Sequence, residues 1–120
     1  MILVDTSIWV KHLRHGQLGL VSLLHHAEVQ CHRFIIGELA CGSISRRSEI
    51  LQLLRRLPSV PVVENEEVMT FVERHRLMGR GVGWVDVHLL TSAALESVLL
   101  LSTGRRLAAI ARTLGVYGEP

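Results

Sequence analysis

Short all-apolar runs alternate along this chain with longer segments of helical apolar spacing, and that alternation admits few folds. Ile2, Leu3 and Val4 form one run, stopped at once by Asp5, and Val98 to Leu101 form another. A strand that is apolar at every position has no solvent face, so it belongs in a sheet covered on both sides. Cys31 to Ile36 and Val60 to Val63 are predicted as further strands, with Val116-Tyr117 as a short fifth. Between them the apolar residues recur at helical intervals. Asp5-Thr6-Ser7 caps a helix that carries Ile8, Trp9, Val10 and Leu13 and ends at Gly16. Leu18 to Val29 keeps Leu20, Val21, Leu24 and Ala27 on one stripe, and Gly37-Glu38-Leu39-Ala40 is a helix start. Ser45 or Ser48 caps a helix with Ile50, Leu51, Leu54 and Leu57 inside and Arg55 and Arg56 outside. Asn65 caps the next, with Glu66 and Glu67 in its first turn and Arg74, His75 and Arg76 in its last, the polarity the helix dipole favours. Trp84 to Glu96 and Arg105 to Leu114 complete the set. Strands alternating with helices predict an α/β domain built on a parallel sheet.

The length of 120 residues suits one domain with a real core, and no linker or repeat divides it. Hydrophobic residues make up 48% of the chain but aromatic ones only 4%, so Leu, Val, Ile and Ala must build that core. The net charge of +2 excludes a histone-like binder. Lys11 is the only lysine, and the arginines that supply the remaining positive charge are compatible with phosphate contacts. Cys31 and Cys41 are not in a C-x-x-C arrangement. No apolar stretch approaches a membrane span and no signal-like segment opens the chain, so a cytoplasmic, reduced protein with no membrane association is expected.

Acids at strand ends and helix starts carry the chemistry. The chain has two aspartates. Asp5 follows the first buried strand, at the sheet edge where open α/β folds place their ligands. Asp86 lies in the first turn of the helix that begins at Trp84. Either one alone can be an ordinary cap. Glu38 sits between Ile35, Ile36, Leu39 and Ala40, the most apolar neighbourhood of any acid here, where a cation or a set of donors would offset desolvation. Together the three point to Mg²⁺ or Mn²⁺, hard ions that want carboxylate and water oxygens. Two carboxylates about 6 Å apart at an effective dielectric of about 20 repel by roughly 3 kcal/mol, which a cation relieves.

These motifs resemble a known family. Ile2-Leu3-Val4-Asp5-Thr6-Ser7-Ile8-Trp9 is similar to the V-D-T-S-x-W opening of PIN domains. Phe34 to Gly42 resembles their second acidic motif, and Gly81 to Leu90 the third, in the form found in VapC-type toxins. The resemblance covers the whole chain as a single PIN domain, 1–120. It implies a three-layer α/β/α sandwich around a parallel sheet of four to five strands. It also implies metal-dependent cleavage of single-stranded RNA, a homodimer and a cognate antitoxin. By carry-over Asp5, Glu38 and Asp86 are catalytic and hold the metal, and Ser7 or Thr6 adds a hydroxyl to its shell, with Ser102 a further accessory. One position departs. The family follows its last core strand with Thr or Ser, a variable residue, a fourth Asp and a basic residue, whereas this chain has Ser102-Thr103-Gly104-Arg105. Gly104 thus stands where the fourth acid is expected. Arg105 and Arg106 beside it are candidate RNA phosphate contacts.

Other readings are weaker. A phosphoaspartyl enzyme of the dehalogenase type wants a second Asp where Ser7 stands, and both it and a receiver domain need a later lysine that is absent. Gly79, Gly81 and Gly83 lack the G-K-[ST] end of a P-loop. His25, His26, Cys31, His32 and Cys41 match no zinc spacing. His88 lies roughly 200° round the helix from Asp86 and should face away from it. Trp9 and Trp84 are expected as core or dimer contacts. The serious alternative is a PIN fold with weakened or lost cleavage, serving as an antitoxin- or RNA-binding module, and Gly104 is the reason to keep it.

Overall fold

In the computed structural model of the chain, which describes residues 1–15 and 18–119, β1 (Ile2–Val4) is the middle strand of a parallel sheet. Its neighbours are β2 (Val29–Gln30) and β3 (Leu99–Leu101), in the order β2-β1-β3. A middle strand pairs its backbone on both sides and is covered on both faces, and Leu3 and Val4 are fully buried. Ile2 lies opposite Val29 and Leu99, Leu3 opposite Gln30 and Leu100, and Val4 opposite Leu101. β1 and β3 therefore end together. One residue further on, the Asp5 N–H donates to the Leu101 carbonyl at 3.0 Å. Asp5 and Ser102, which follow the two strands, emerge side by side.

The strands number three among the described residues, fewer than the four to five expected. Val60 to Val63 does not form a strand; its segment gives one parallel bridge, Cys31 with Ser59, closed by the Cys31 N–H to Pro58 and the Val60 N–H to Cys31. Tyr117 likewise bridges Leu100 only. Five segments line up, but only three pair over more than one residue.

The helices are α1 (Thr6–His15), α2 (Leu18–His25), α3 (Arg33–Cys41), α4 (Arg47–Arg55), α5 (Asn65–His75), α6 (Trp84–Glu96) and α7 (Arg105–Thr113). Gly16, the expected end of the first helix, lies outside the described residues. The helix expected to reach Val29 stops at His25, because Ala27 turns left-handed at φ 54° and releases Val29 into β2. The strand expected over Cys31 to Ile36 does not form: Cys31 makes a single bridge to Ser59, His32 is a helix cap, and Arg33 to Ile36 are the first turn of α3. His32 caps α3 by accepting the Phe34 N–H on Nδ1 at 3.0 Å, so the helix starts well ahead of Gly37. Neither Ser45 nor Ser48 caps α4; Arg46 precedes it with φ 54° and grips Glu49 across the first turn at 2.9 and 2.7 Å. Glu64, not Asn65, is the cap residue of α5.

One hydrophobic cluster runs from Leu3 to Val116. α6 and α7 pack on β3, α5 on α6, α1 on α3 and α3 on α4. Among the described residues no helix is long and apolar enough to cross a membrane.

Candidate active site

The register of β1 and β3 builds the site from its centre. Asp5 is 8% exposed, and its Oδ2 accepts the hydroxyl of Ser102 at 2.5 Å and that of Ser7 at 2.9 Å. Two hydroxyl donors offset the desolvation of a carboxylate buried at the sheet edge. Each hydroxyl is itself anchored to the turn after β3. Ser102 Oγ accepts the Gly104 N–H at 3.0 Å, and Ser7 Oγ accepts the Thr103 N–H at 3.3 Å. Both serines bond to Oδ2, so Oδ1 keeps its acceptor capacity for a ligand. Ser7 and Ser102 thus orient Asp5, a role that sequence reasoning reached only as accessory hydroxyls. The backbone donors of Thr103 and Gly104 carry no side-chain signature and were not foreseeable.

Asp86 enters from the first turn of α6. Its Oδ2 accepts the Gly83 N–H at 3.3 Å, a link across the helix start. Half-burial raises its pKa above the ordinary carboxylate value; the Gly83 N–H opposes the shift, and the charges of Asp5 and Glu38 add to it. Asp86 therefore feels the charge of both other predicted acids. A cleft of about 320 Å³ is lined by Asp5, Asp86, Ser102, Gly104, Arg105 and Arg106, with Gly81 and Val82 on its far wall.

Glu38 is placed differently from expectation. It is exposed, because Ile35 and Leu39 turn to the core while position 38 lies on the outer face of α3. The apolar neighbours that flank it in sequence do not surround it in space. Its Oε1 accepts the Thr6 hydroxyl at 2.6 Å, and it stands with Thr6 on the wall of a second cleft of about 430 Å³. Asp5 lines one cleft and Thr6, the next residue, lines the other.

Among the described residues, no three acid, histidine or cysteine side chains converge closely enough to cage an ion by themselves. Asp5 and Asp86 on one cleft still suit Mg²⁺, which keeps most of its waters and binds through one or two carboxylates plus phosphate oxygens. The donor set is all oxygen, as that ion requires.

The arginines and glycines interlock. Gly79 and Gly81 have φ of +69° and +81°, and a Cβ at Gly81 would overlap the side chain of Arg106. The positive φ is what favours glycine at position 81, and its bare Cα leaves room for the flexible Arg106 side chain to lie across the loop at the cleft. Gly104 has an ordinary extended backbone, φ −68° and ψ 120°, and caps α7 without a side chain.

The histidines take other places. His88 is fully buried with Phe34 and Trp84 at ring distances of 4.7 Å each, and with His32 at 6.5 Å. Burial lowers the pKa of His88 and takes His32 down to about 4, where the charges of His88 and Arg33 contribute further. Trp9 is a core residue; Trp84 is 43% exposed, with the edge of its ring system set against His88.

A family model described as the PIN domain matches residues 2–113. The chain belongs to the PIN-domain family, in its VapC-type branch. It is 49% identical over 117 residues to Ribonuclease VapC32 of Mycobacterium tuberculosis, strain CDC 1551 / Oshkosh, covering 97% of this chain and 94% of that protein. The protein of the same name from strain ATCC 25618 / H37Rv matches to the same extent.

Proposed function

We propose that this chain is a metal-dependent endoribonuclease that cleaves single-stranded or loop regions of RNA and acts as the toxin of a toxin–antitoxin pair. The observation that carries the reading is the cleft in which Asp5 and Asp86 meet beside Arg105 and Arg106. Acids that can hold a divalent cation and arginines that can hold phosphate are what metal-assisted phosphodiester hydrolysis needs, and here they line one cleft. The relatives named as ribonucleases support the same activity.

In this reading Asp5 and Asp86 hold Mg²⁺ or Mn²⁺, and Glu38 adds its charge from beside Thr6. The ion supplies charge neutralisation at the scissile phosphate and makes nearby water more acidic. Ser7 and Ser102 fix the Asp5 carboxylate, so that Oδ1 presents one acceptor in a set direction. Arg105 and Arg106 bind the phosphate backbone and draw the strand across the cleft. A small antitoxin would block this face, the protein would act as a homodimer, and its place would be the cytoplasm. Val21 on α2 and Leu53 on α4 are exposed apolar side chains available to such protein contacts.

A second reading is favoured by one residue. Gly104 lines the cleft where the family pattern has an acid, so cleavage is weakened and the fold serves to bind the antitoxin or RNA. End-labelled single-stranded RNA incubated with purified protein separates the two. Fragments that appear with Mn²⁺, vanish in EDTA and vanish in Asp5→Asn uphold the nuclease. Intact RNA under all conditions leaves the binding module.

A further inference from the structure

The larger cleft contains none of the proposed catalytic acids except Glu38. It lies between α1, α3 and the loop before α4, with a floor of Val10, Leu13, Leu39 and Ile44. Arg14 and His15 stand on its rim, from the last turn of α1. Arg14 is exposed and has no carboxylate partner among the described residues. Ser43 and Ser45 supply hydroxyls on the opposite side. The volume of about 430 Å³ falls in the range of small-ligand sites, and an apolar floor with a few polar groups at the edge is their usual lining.

We infer that this cleft is a subsite for the nucleotide next to the scissile phosphate, taking its base on the apolar floor and its outer phosphate at Arg14. The inference rests on the ribonuclease reading for its substrate class and adds where the strand goes after it leaves Asp5. Three observations converge on it. Thr6, hydrogen-bonded to Glu38 at the near end of this cleft, is one residue from Asp5 in the catalytic cleft, so a strand that leaves Asp5 on that side enters the second cleft. The rim charge on the far side is positive, opposite to that of a phosphate. The floor is aliphatic and contains no aromatic ring to stack a base, so it accommodates bases by shape with little demand on their hydrogen-bonding edges. The cleft would therefore strengthen RNA binding generally and contribute little to base identity.

The test is fluorescence anisotropy with a fluorescein-labelled single-stranded RNA decamer of mixed sequence, in EDTA so that no cleavage intervenes, over a series of NaCl concentrations. Arg14→Gln should raise Kd about fivefold and reduce the slope of log affinity against log salt by about 0.7, as expected for one lost phosphate contact to a single strand. Ile44→Glu, which puts a negative charge on the floor, should weaken binding as well. Arg56→Gln, exposed just after α4 and outside the cleft, should change neither quantity. Because Arg14 is at the surface, its variant keeps the fold even if the Ile44 variant does not. Unchanged affinity and slope in Arg14→Gln overturn the subsite and leave a protein partner as the occupant of the cleft. Weakened binding in the variants, with no cleavage by the parent in Mn²⁺, upholds the cleft as an RNA-binding site and removes the nuclease reading. A parent that binds no RNA in EDTA overturns the subsite, and cleavage in Mn²⁺ then decides the nuclease reading separately.

Discussion

Replacing Gly104 with aspartate adds an acid to the cleft that Asp5 and Asp86 line. The backbone there is ordinary for any residue, and a Cβ would meet Ser102 Oγ at 3.3 Å and Leu107 Cβ at 3.7 Å, so the side chain fits with a shift of a few tenths of an ångström. As the cap of α7, aspartate gains about a few tenths of a kcal/mol over glycine. Against this stands repulsion, roughly 3 kcal/mol for a carboxylate pair about 6 Å apart at an effective dielectric of about 20. Exposure of position 104 and the guanidinium groups of Arg105 and Arg106 reduce it to about 1 kcal/mol. The net cost of about 0.7 kcal/mol should therefore lower the melting temperature of the metal-free variant by roughly 2 to 4 °C. Adding Mn²⁺ should reverse the order. An ion at about 100 times its Kd stabilises the folded state by about 2.7 kcal/mol, and a tenfold tighter site adds about 1.4 kcal/mol at the same concentration. The assay is thermal melting of both proteins in EDTA and across a Mn²⁺ titration, with RNA cleavage measured alongside and expected to rise in the variant. Equal melting temperatures in EDTA, equal Mn²⁺ midpoints and equal cleavage rates would refute the placement of position 104 beside the acids.

His32 sets an acid limit on stability. Its pKa falls from 6.5 unfolded to about 4 folded, so the folded state keeps it neutral and its contribution of about 3 kcal/mol is fully present above pH 6.5 and lost as pH falls through 4. His32→Asn retains a capping side chain for Phe34 and should flatten that part of the curve in urea unfolding from pH 7 to 4; an unaltered slope would contradict it. The thiols should separate by reactivity. Burial takes Cys31 to about 11, while Cys41 is exposed, so a thiol reagent at pH 8 should titrate one fast group in the native protein and two in denaturant. Equal rates for both in the native state would contradict the buried position of Cys31.

The parts of the fold legible in the sequence are those whose pattern is set by burial alone. β1 and β3 are apolar at every position, and Leu3, Val4, Leu100 and Leu101 are buried in the sheet while Leu99 at the start of β3 is exposed; α6 runs from Trp84 to Glu96 as its spacing indicates. Asp5 and Asp86 follow from these elements, one after a strand and one inside a helix start. Cys31 to Ile36 is illegible because a segment this short, apolar only at Cys31 and from Phe34 to Ile36, suits strand or helix equally; the His32 ring, capping Phe34, decides for helix. Glu38 misleads for a related reason, since residues adjacent in sequence lie on different faces of α3. The left-handed turns at Ala27 and Arg46 ended and began helices at residues with no glycine or asparagine to announce them. The second cleft was invisible because Arg14 and Ile44, far apart in sequence, meet only when α1 packs on α3.

The central claim is that β1 and α6 bring Asp5 and Asp86 into one cation site. Calorimetric titration of Mn²⁺ into the parent, Asp5→Asn and Asp86→Asn tests it directly. The parent should bind the ion with a measurable heat, and each single variant should lose that heat while retaining its helical circular dichroism. Either variant binding Mn²⁺ as tightly as the parent would place the metal elsewhere and contradict the account.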